Sequence, residues 1–395
     1  MNEVVITGIG AISAIGNTVD QIYDSLKNSR HGITAMSVLK SNLANIYPVG
    51  EIKLTNDELQ RMSPVKGKHS RTTLLSSLAV SEAVKCAKLD EKLIESTSFV
   101  SSTTVGGMDT TENCYFDFKN AQNLEIAQIH PCGNHSSEVA AVFGLNNNVL
   151  TLSTACSSSS NAIIVGARLI KAGLVDRVIA GGSDALSKFT LNGFKSLMIL
   201  DEAHCKPFDA ERKGLNLGEA AAYIVLENSK VAQKRNIKVL AKLAGYSNVN
   251  EAYHQTASSP NGEGAFQAMT KALQMAKITT AHIDYINAHG TGTENNDASE
   301  STAINRLFDN TDIFFSSTKA FTGHTLAASG ALEAVISVVA IQKEMIPSNL
   351  NFKTKIEGMR LTPLTHFKEY TTRNVISNSF GFGGNNTTLV FSRMN

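Results

Sequence analysis

One pattern occurs twice in this chain of 395 residues, and it constrains the fold more than any other feature. A short β-branched run with small residues enters a turn and opens a helix rich in Gly, Ala and Ser. It reads TLSTACSSSSNAIIVGARLIKAG from Thr151 to Gly173, and FSSTKAFTGHTLAASGALEAVISVVAIQKE from Phe315 to Glu344. Both helices are apolar on all sides, as helices buried on every face are. Strand-like runs alternate with helical patterns around each: VVITGIG, SFVSSTTVG and RVIAGGSDA in the first series, DYINAHGTGT and NVISNSFGFGGNN in the second. That alternation means α/β. Helices are expected near residues 72–88 and 264–276. A duplicated unit with two buried central helices, each flanked by a mostly parallel sheet, predicts a five-layer α/β/α/β/α sandwich. The halves would divide near 230–239, into an N-terminal half over 1–235 and a C-terminal half over 236–395.

With 42% hydrophobic residues and 18% charged, the chain is long enough for one large core, and disorder is not expected. Its 36 basic and 35 acidic residues give a net charge of +1 and form no long runs, which argues against nucleic acid or anionic lipid as a partner. The opening MNEVVITGIGAI reads as a strand rather than a signal segment, and no membrane insertion is expected, so the expectation is a cytoplasmic protein. The five cysteines, Cys86, Cys114, Cys132, Cys156 and Cys205, are odd in number and contain no C-x-x-C pair, against both a disulfide framework and a zinc site.

Cys156 stands directly before four serines at a helix start, where backbone N–H groups lack intrahelical partners. The helix dipole is worth roughly 0.3 to 2 kcal/mol there, enough to pull a thiol of about 8.5 down by up to ~1.5 pH units. The alternative is a small buried hydrophobe, the usual role of a free cysteine. Two histidines weigh on the choice. His289 ends an apolar strand and is followed by Gly290, Thr291, Gly292 and Thr293, which permit close approach of a ligand. His324 opens the second buried helix, matching Cys156 in the repeat. The SNSFGFGGNN stretch reads as a Gly-rich turn between strands, either a plain hairpin or a loop whose N–H groups face a developing oxyanion.

Together, and in this order, VVITGIGAISAIGN, STACSSSSNAI, AGGSDA, KPFDAERKGLNLGEAAA, NAHGTGTENND, SSTKAFTGHTLAASGALEA and SNSFGFGG resemble the elongating β-ketoacyl-acyl-carrier-protein synthases over essentially the whole chain. The resemblance implies the thiolase-like duplicated sandwich and a decarboxylative condensation of an acyl thioester with malonyl-acyl-carrier-protein. It implies Cys156 as nucleophile, His289 and His324 as the catalytic pair, and Lys319 and Glu333 as charged support around His324. It further implies an oxyanion and gating loop of Gly381, Phe382 and Gly383 beside Cys156, and substrate contacts from Thr256, Thr291, Thr293, Phe194 and Thr110. No metal or organic cofactor is implied. The implied partners are acyl carrier protein, docked on Lys66, Lys68, Arg71 and Lys206, and a second subunit in a homodimer or a heterodimer with a ketosynthase-like chain.

The sequence departs from the family pattern at GEAAA, where GEGAG is usual, around KHSRTTLLSSLAVSEA and at PCGNHSS. These bear on the pathway, fatty acid or specialised polyene and aryl-polyene synthesis, more than on the reaction. A thiolase would carry a second reactive cysteine near the C-terminal glycine loop, and a non-catalytic chain-length partner subunit would usually lack the nucleophile.

Overall fold

The computed structural model describes residues 2–115, 128–309 and 311–394. Its first series contains strands β1 (Val4–Ser13), β2 (Ile33–Thr34), β3 (Val49–Gly50), β4 (Ser98–Ser102), β5 (Val149–Leu152), β6 (Arg177–Asp184) and β7 (Ala220–Asn228). The second contains β8 (Ala241–Asn250), β9 (Tyr285–Asn287), β10 (Phe314–Ser316), β11 (Met345–Ile346), β12 (Lys368–Glu369), β13 (Asn374–Gly381) and β14 (Asn385–Ser392).

Ten of these strands hydrogen-bond in the order β10-β9-β13-β14-β8-β1-β7-β6-β4-β5. The order is the same read inward from either end. β5, β4 and β6 run parallel, and β7 pairs antiparallel with both β6 and β1; β10, β9 and β13 run parallel, and β14 pairs antiparallel with both β13 and β8. β1 therefore points the same way as β4, β5 and β6, and β8 the same way as β9, β10 and β13, so each half is mostly parallel, as the sequence implies, with one reversed strand, β7 or β14. β14 reverses because a three-residue turn joins it to β13, a connection too short to cross over. The halves meet at β1 and β8 through just Val5↔Lys242 and Ile6↔Ala241, which lets them fold back on each other.

Strand alternation builds the layers. Ala222, Ile224 and Leu226 of β7 and Leu389 and Phe391 of β14 face a central core shared with the Ser158–Lys171 and Ser329–Lys343 helices. Ala221, Tyr223 and Val225 face outward to the Arg71–Cys86 helix, and Ile376 and Val390 face the Glu263–Ala276 helix. Both outer helices lie where the sequence predicts them, within one or two residues. The two central helices touch closely: a Cβ on Gly330 would collide with Ser160 Oγ. The Leu326–Lys343 stretch is long and apolar enough to cross a membrane, but it is buried in this core.

Candidate active site

Cys156 sits between β5 and the Ser158–Lys171 helix, two residues before the helix starts. Ala155 takes a left-handed φ of 54°, tolerable for a small side chain, and the bend closes a bridge between Thr154 and Cys156. The four serines fix this turn in place. Ser158 Oγ accepts from the Thr154 N–H at 2.8 Å and donates to Ala155 O at 2.5 Å. The other three reach the second half: Ser157 Oγ donates to Asn385 Oδ1 at 2.7 Å, Ser159 Oγ accepts from the Ala331 N–H at 2.8 Å, and Ser160 Oγ meets Ser379 Oγ at 2.9 Å.

A cavity of about 350 Å³ opens above the sulfur, lined by Cys156, His289, His324, Phe194, Thr256, Thr291, Thr293, Gly381 and Phe382, among others. Gly381 lies against the turn; a Cβ there would come within 3.2 Å of the Cys156 nitrogen. The Cys156 and Phe382 N–H groups both bear on the thiol and pull its pKa down, as does the Lys319 charge. Burial outweighs them, and the thiol is pushed up to about 11. The resting thiol is thus raised, where the helix-mouth argument expects it lowered: a cysteine only 6% exposed loses more hydration than a dipole beginning two residues away returns.

The imidazoles of His289 and His324 stand edge to face with centroids 5.4 Å apart. His324 Nδ1 accepts from the Leu326 N–H at 3.2 Å and lies 3.0 Å from Ser329 Oγ. His289 Nδ1 lies 3.2 Å from Lys319 Nζ, which only donates. Both rings therefore use Nδ1 as acceptor and carry their proton on Nε2. Burial, reinforced by the Lys319 charge, holds both pKa values well below the ordinary histidine range, so both are neutral. The charged pair does not serve the histidine that the resemblance implies. Lys319 binds His289, at Nδ1 and at its carbonyl oxygen (2.6 Å), and pairs with Glu333, whereas His324 is positioned by Leu326 and Ser329. The reason is topological: Lys319 follows β10, the strand paired with β9, and β9 leads into His289.

Phe194 stacks on Phe382 with centroids 6.0 Å apart. Gly383 is not among the cavity-lining residues; at a φ of 80° it turns the β13–β14 hairpin and donates to Gln255 O at 2.7 Å. Thr110, on the Met108–Cys114 helix, does not line the cavity. Arg71 is a correction to the docking cluster. It is 5% exposed, and its guanidinium donates to Glu219 Oε2 at 2.8 Å and Oε1 at 2.7 Å and to the carbonyls of Ile52 and Leu54. It opens the outer helix facing inward and serves the GEAAA segment, not the surface. Lys66 and Lys68 are exposed, and Lys206 is half-buried against Glu211 at 3.2 Å.

Three buried carboxylates escape the sequence reading. Glu300 accepts from the His289 and Gly290 N–H groups at 2.9 and 2.8 Å, and burial pushes it up to about 7. Asp297 accepts from the N–H groups of Thr291 and Gly292, setting the HGTGT loop. Asp184 accepts from Thr103 Oγ1 at 2.6 Å and from the Ala327 N–H at 2.8 Å, tying the first half to the turn after His324. The signal for the first two was their place on one helix directly after HGTGT, three residues apart.

Sequence profiles of the Beta-ketoacyl synthase N-terminal and C-terminal domains match residues 1–232 and 240–353. The 3-oxoacyl-acyl-carrier-protein synthase 2 of Staphylococcus aureus (strain COL) is 30% identical, across 99% of this chain and 98% of its own length. Among solved structures, the ishigamide ketosynthase/chain length factor superposes with a TM-score of 0.93 at 28% identity, over 100% of both chains. A ketosynthase in complex with its chain length factor from Xenorhabdus doucetiae superposes with a TM-score of 0.86 at 31% identity, over 100% of this chain and 98% of its own.

Proposed function

This chain belongs to the beta-ketoacyl synthase family of condensing acyltransferases, and from that premise we propose that it joins an acyl group held on Cys156 to malonyl-acyl-carrier-protein, giving a 3-oxoacyl product two carbons longer. The observation that carries the reading is one cavity in which a cysteine faces two neutral imidazoles, each with its proton on Nε2.

In the first half-reaction the Cys156 sulfur attacks the incoming thioester. The oxyanion is received by the Cys156 and Phe382 N–H groups, and the departing pantetheine thiol takes up the proton that the cysteine gives up. The raised pKa means that the resting cysteine is a thiol and gives up its proton as the sulfur attacks, with the Lys319 charge favouring the developing thiolate against the desolvation that opposes it. In the second, malonyl thioester loses carbon dioxide, and the Nε2–H groups of His289 and His324 donate to the enolate oxygen. Neutral donors suit this task because they bind the developing charge without being able to quench the carbanion as readily as an imidazolium would. The enolate carbon attacks the acyl-cysteine, and the sulfur leaves. Neither half-reaction requires a metal or an organic cofactor.

Thr256, Thr291 and Thr293 would line the path of the pantetheine arm, with Phe194 and Phe382 closing on the acyl chain. Lys66 and Lys68 remain candidates for carrier contact. Val149 and Leu150, exposed on edge strand β5, offer an edge for a second ketosynthase-like subunit. The acyl substrate would be of the fatty acid or polyene type. A non-catalytic partner-subunit role is disfavoured by the intact cysteine and histidine pair. Incubation with acylated carrier proteins followed by mass spectrometry should find the acyl group on Cys156, and Cys156→Ala should hold none and condense at least ~1000-fold more slowly. Condensation by Cys156→Ala at the wild-type rate would refute the reading.

A further inference from the structure

At the open end of the cavity most polar side chains are committed to one another. Asn295 Oδ1 accepts from the Ser258 N–H at 2.7 Å and its Nδ2 donates to Ser258 O at 3.1 Å. Asn296 donates to Asp297 at 3.0 Å, and the Thr291 and Thr293 hydroxyls pair at 2.8 Å. Arg212 is buried and spends its guanidinium on Thr293 O at 3.1 Å and Glu294 O at 2.7 Å, which clamps that lip to the loop carrying residue 213. Lys213 differs. It is exposed, it is the one Lys or Arg among the described residues that line the cavity, and it makes no hydrogen bond or ion pair among them. Glu294, also exposed, lines the same rim and does not pair with it.

We infer that Lys213 anchors the phosphodiester of the substrate's phosphopantetheine arm, with Glu294 opposing it from the same rim. The inference rests on the proposed reaction, in which the thioester reaches Cys156 through this cavity. With the carbonyl at the sulfur, the pantetheine trails outward past Thr291 and Thr293, and its first ionic group is the phosphate. The first cation available to that group is Lys213, since Arg212 has its donors occupied by carbonyls. An ammonium at the rim of a concave cleft lies where low-dielectric walls focus the field, so it attracts an anion more than a lysine on a flat surface does. The two rim charges then act with opposite sign on the same substrate group.

The test compares the kcat/KM for Cys156 acylation by an acyl-phosphopantetheine with that by the same acyl-pantetheine, which lacks the phosphate. Taking the ratio cancels any general disturbance of the rim. The ratio should fall roughly three- to tenfold in Lys213→Ala, fall further in Lys213→Glu, return in Lys213→Arg and rise in Glu294→Gln. All four shifts should shrink in ~1 M salt, where the screening length is about 3 Å. Wild-type acylation by both thioesters with a ratio indifferent to Lys213 overturns the anchor alone. Failure of the wild type to acylate Cys156 with either thioester overturns the proposed reaction and the anchor with it.

Discussion

Cys156 and His324 stand at the mouths of the two central helices, and the two mouths are built differently. Each has one small-phase irregularity, a left-handed Ala155 before the first and a left-handed Leu326 before the second. After Cys156 the α-helix starts within two residues, and its N-cap Ser157 makes no capping hydrogen bond. After His324 a 3-10 turn, Leu326–Ala328, comes first, and the imidazole itself accepts the Leu326 N–H. The first mouth thus directs backbone donors at a sulfur and at whatever negative charge forms there. The second consumes a backbone donor to orient a ring, and the ring becomes the donor. One duplicated frame yields an anion-receiving site and a proton-presenting site, facing each other across one cavity.

The histidine variants are the sharpest way to break this contrast. If the second half supplies donors to the enolate and not a base for the thiol, His289→Ala and His324→Ala should each cut malonyl decarboxylation by ~100-fold or more, the usual effect of losing an oxyanion donor. Acylation of Cys156 should largely survive in at least one of them, followed by single-turnover acyl transfer. Parallel loss of both half-reactions in both variants would mean that the two mouths form a single cysteine–histidine dyad.

The buried Lys319–Glu333 pair belongs wholly to the second half, and Glu333 Oε2 has no hydrogen-bond partner among the described residues. Burial raises the Glu333 carboxyl while Lys319 holds it down. Glu333→Gln leaves the ammonium uncompensated in the core, so denaturant unfolding should show a loss of about 3–5 kcal/mol. The double variant Lys319→Met, Glu333→Leu should recover most of that stability but not the enolate step, because His289 loses the contact that fixes its tautomer. A double variant as unstable as Glu333→Gln would mean that packing, not the uncompensated charge, sets the cost.

Much of this was legible because it is written in local pattern. The duplication, the buried helices and the small residues framing Cys156, His289 and His324 are features of neighbouring residues, and the structure brings all three side chains to one cavity. What was not legible depends on partners far apart in the chain. Arg71 sits in a basic run with Lys66 and Lys68, and nothing near it announces Glu219, 148 residues away, as its partner. Lys319 lies five residues from His324 but 30 from His289, and strand pairing decides between them. The thiol of Cys156 was misjudged for a related reason: sequence displays the helix start but not the depth at which it is buried.

The last contrast is between buried imidazoles. His135, in the PCGNHSS stretch of the first half, does not line the cavity; its Nε2 lies 2.9 Å from Ser101 Oγ and its Nδ1 2.9 Å from Cys132 O. Desolvation lowers its pKa from 6.5 to about 4, with the Cys132 carbonyl and Glu138 opposing. As pH falls below 6.5, the unfolded chain gains a proton at this position while the folded chain does not, so the folded state loses stability until about pH 4. Two and a half pH units correspond to about 3 kcal/mol. Other buried groups titrate in the same window, among them Glu300 and Glu333 with the opposite sign, so the measurement is the difference between wild type and His135→Gln. The stability of the wild type relative to this variant should decline by about 3 kcal/mol between pH 7 and pH 4 in urea unfolding, while both half-reactions continue. A difference that stays constant with pH would show that His135 titrates freely in the folded protein, and the first half would then hold no neutral buried imidazole to set against the pair in the second.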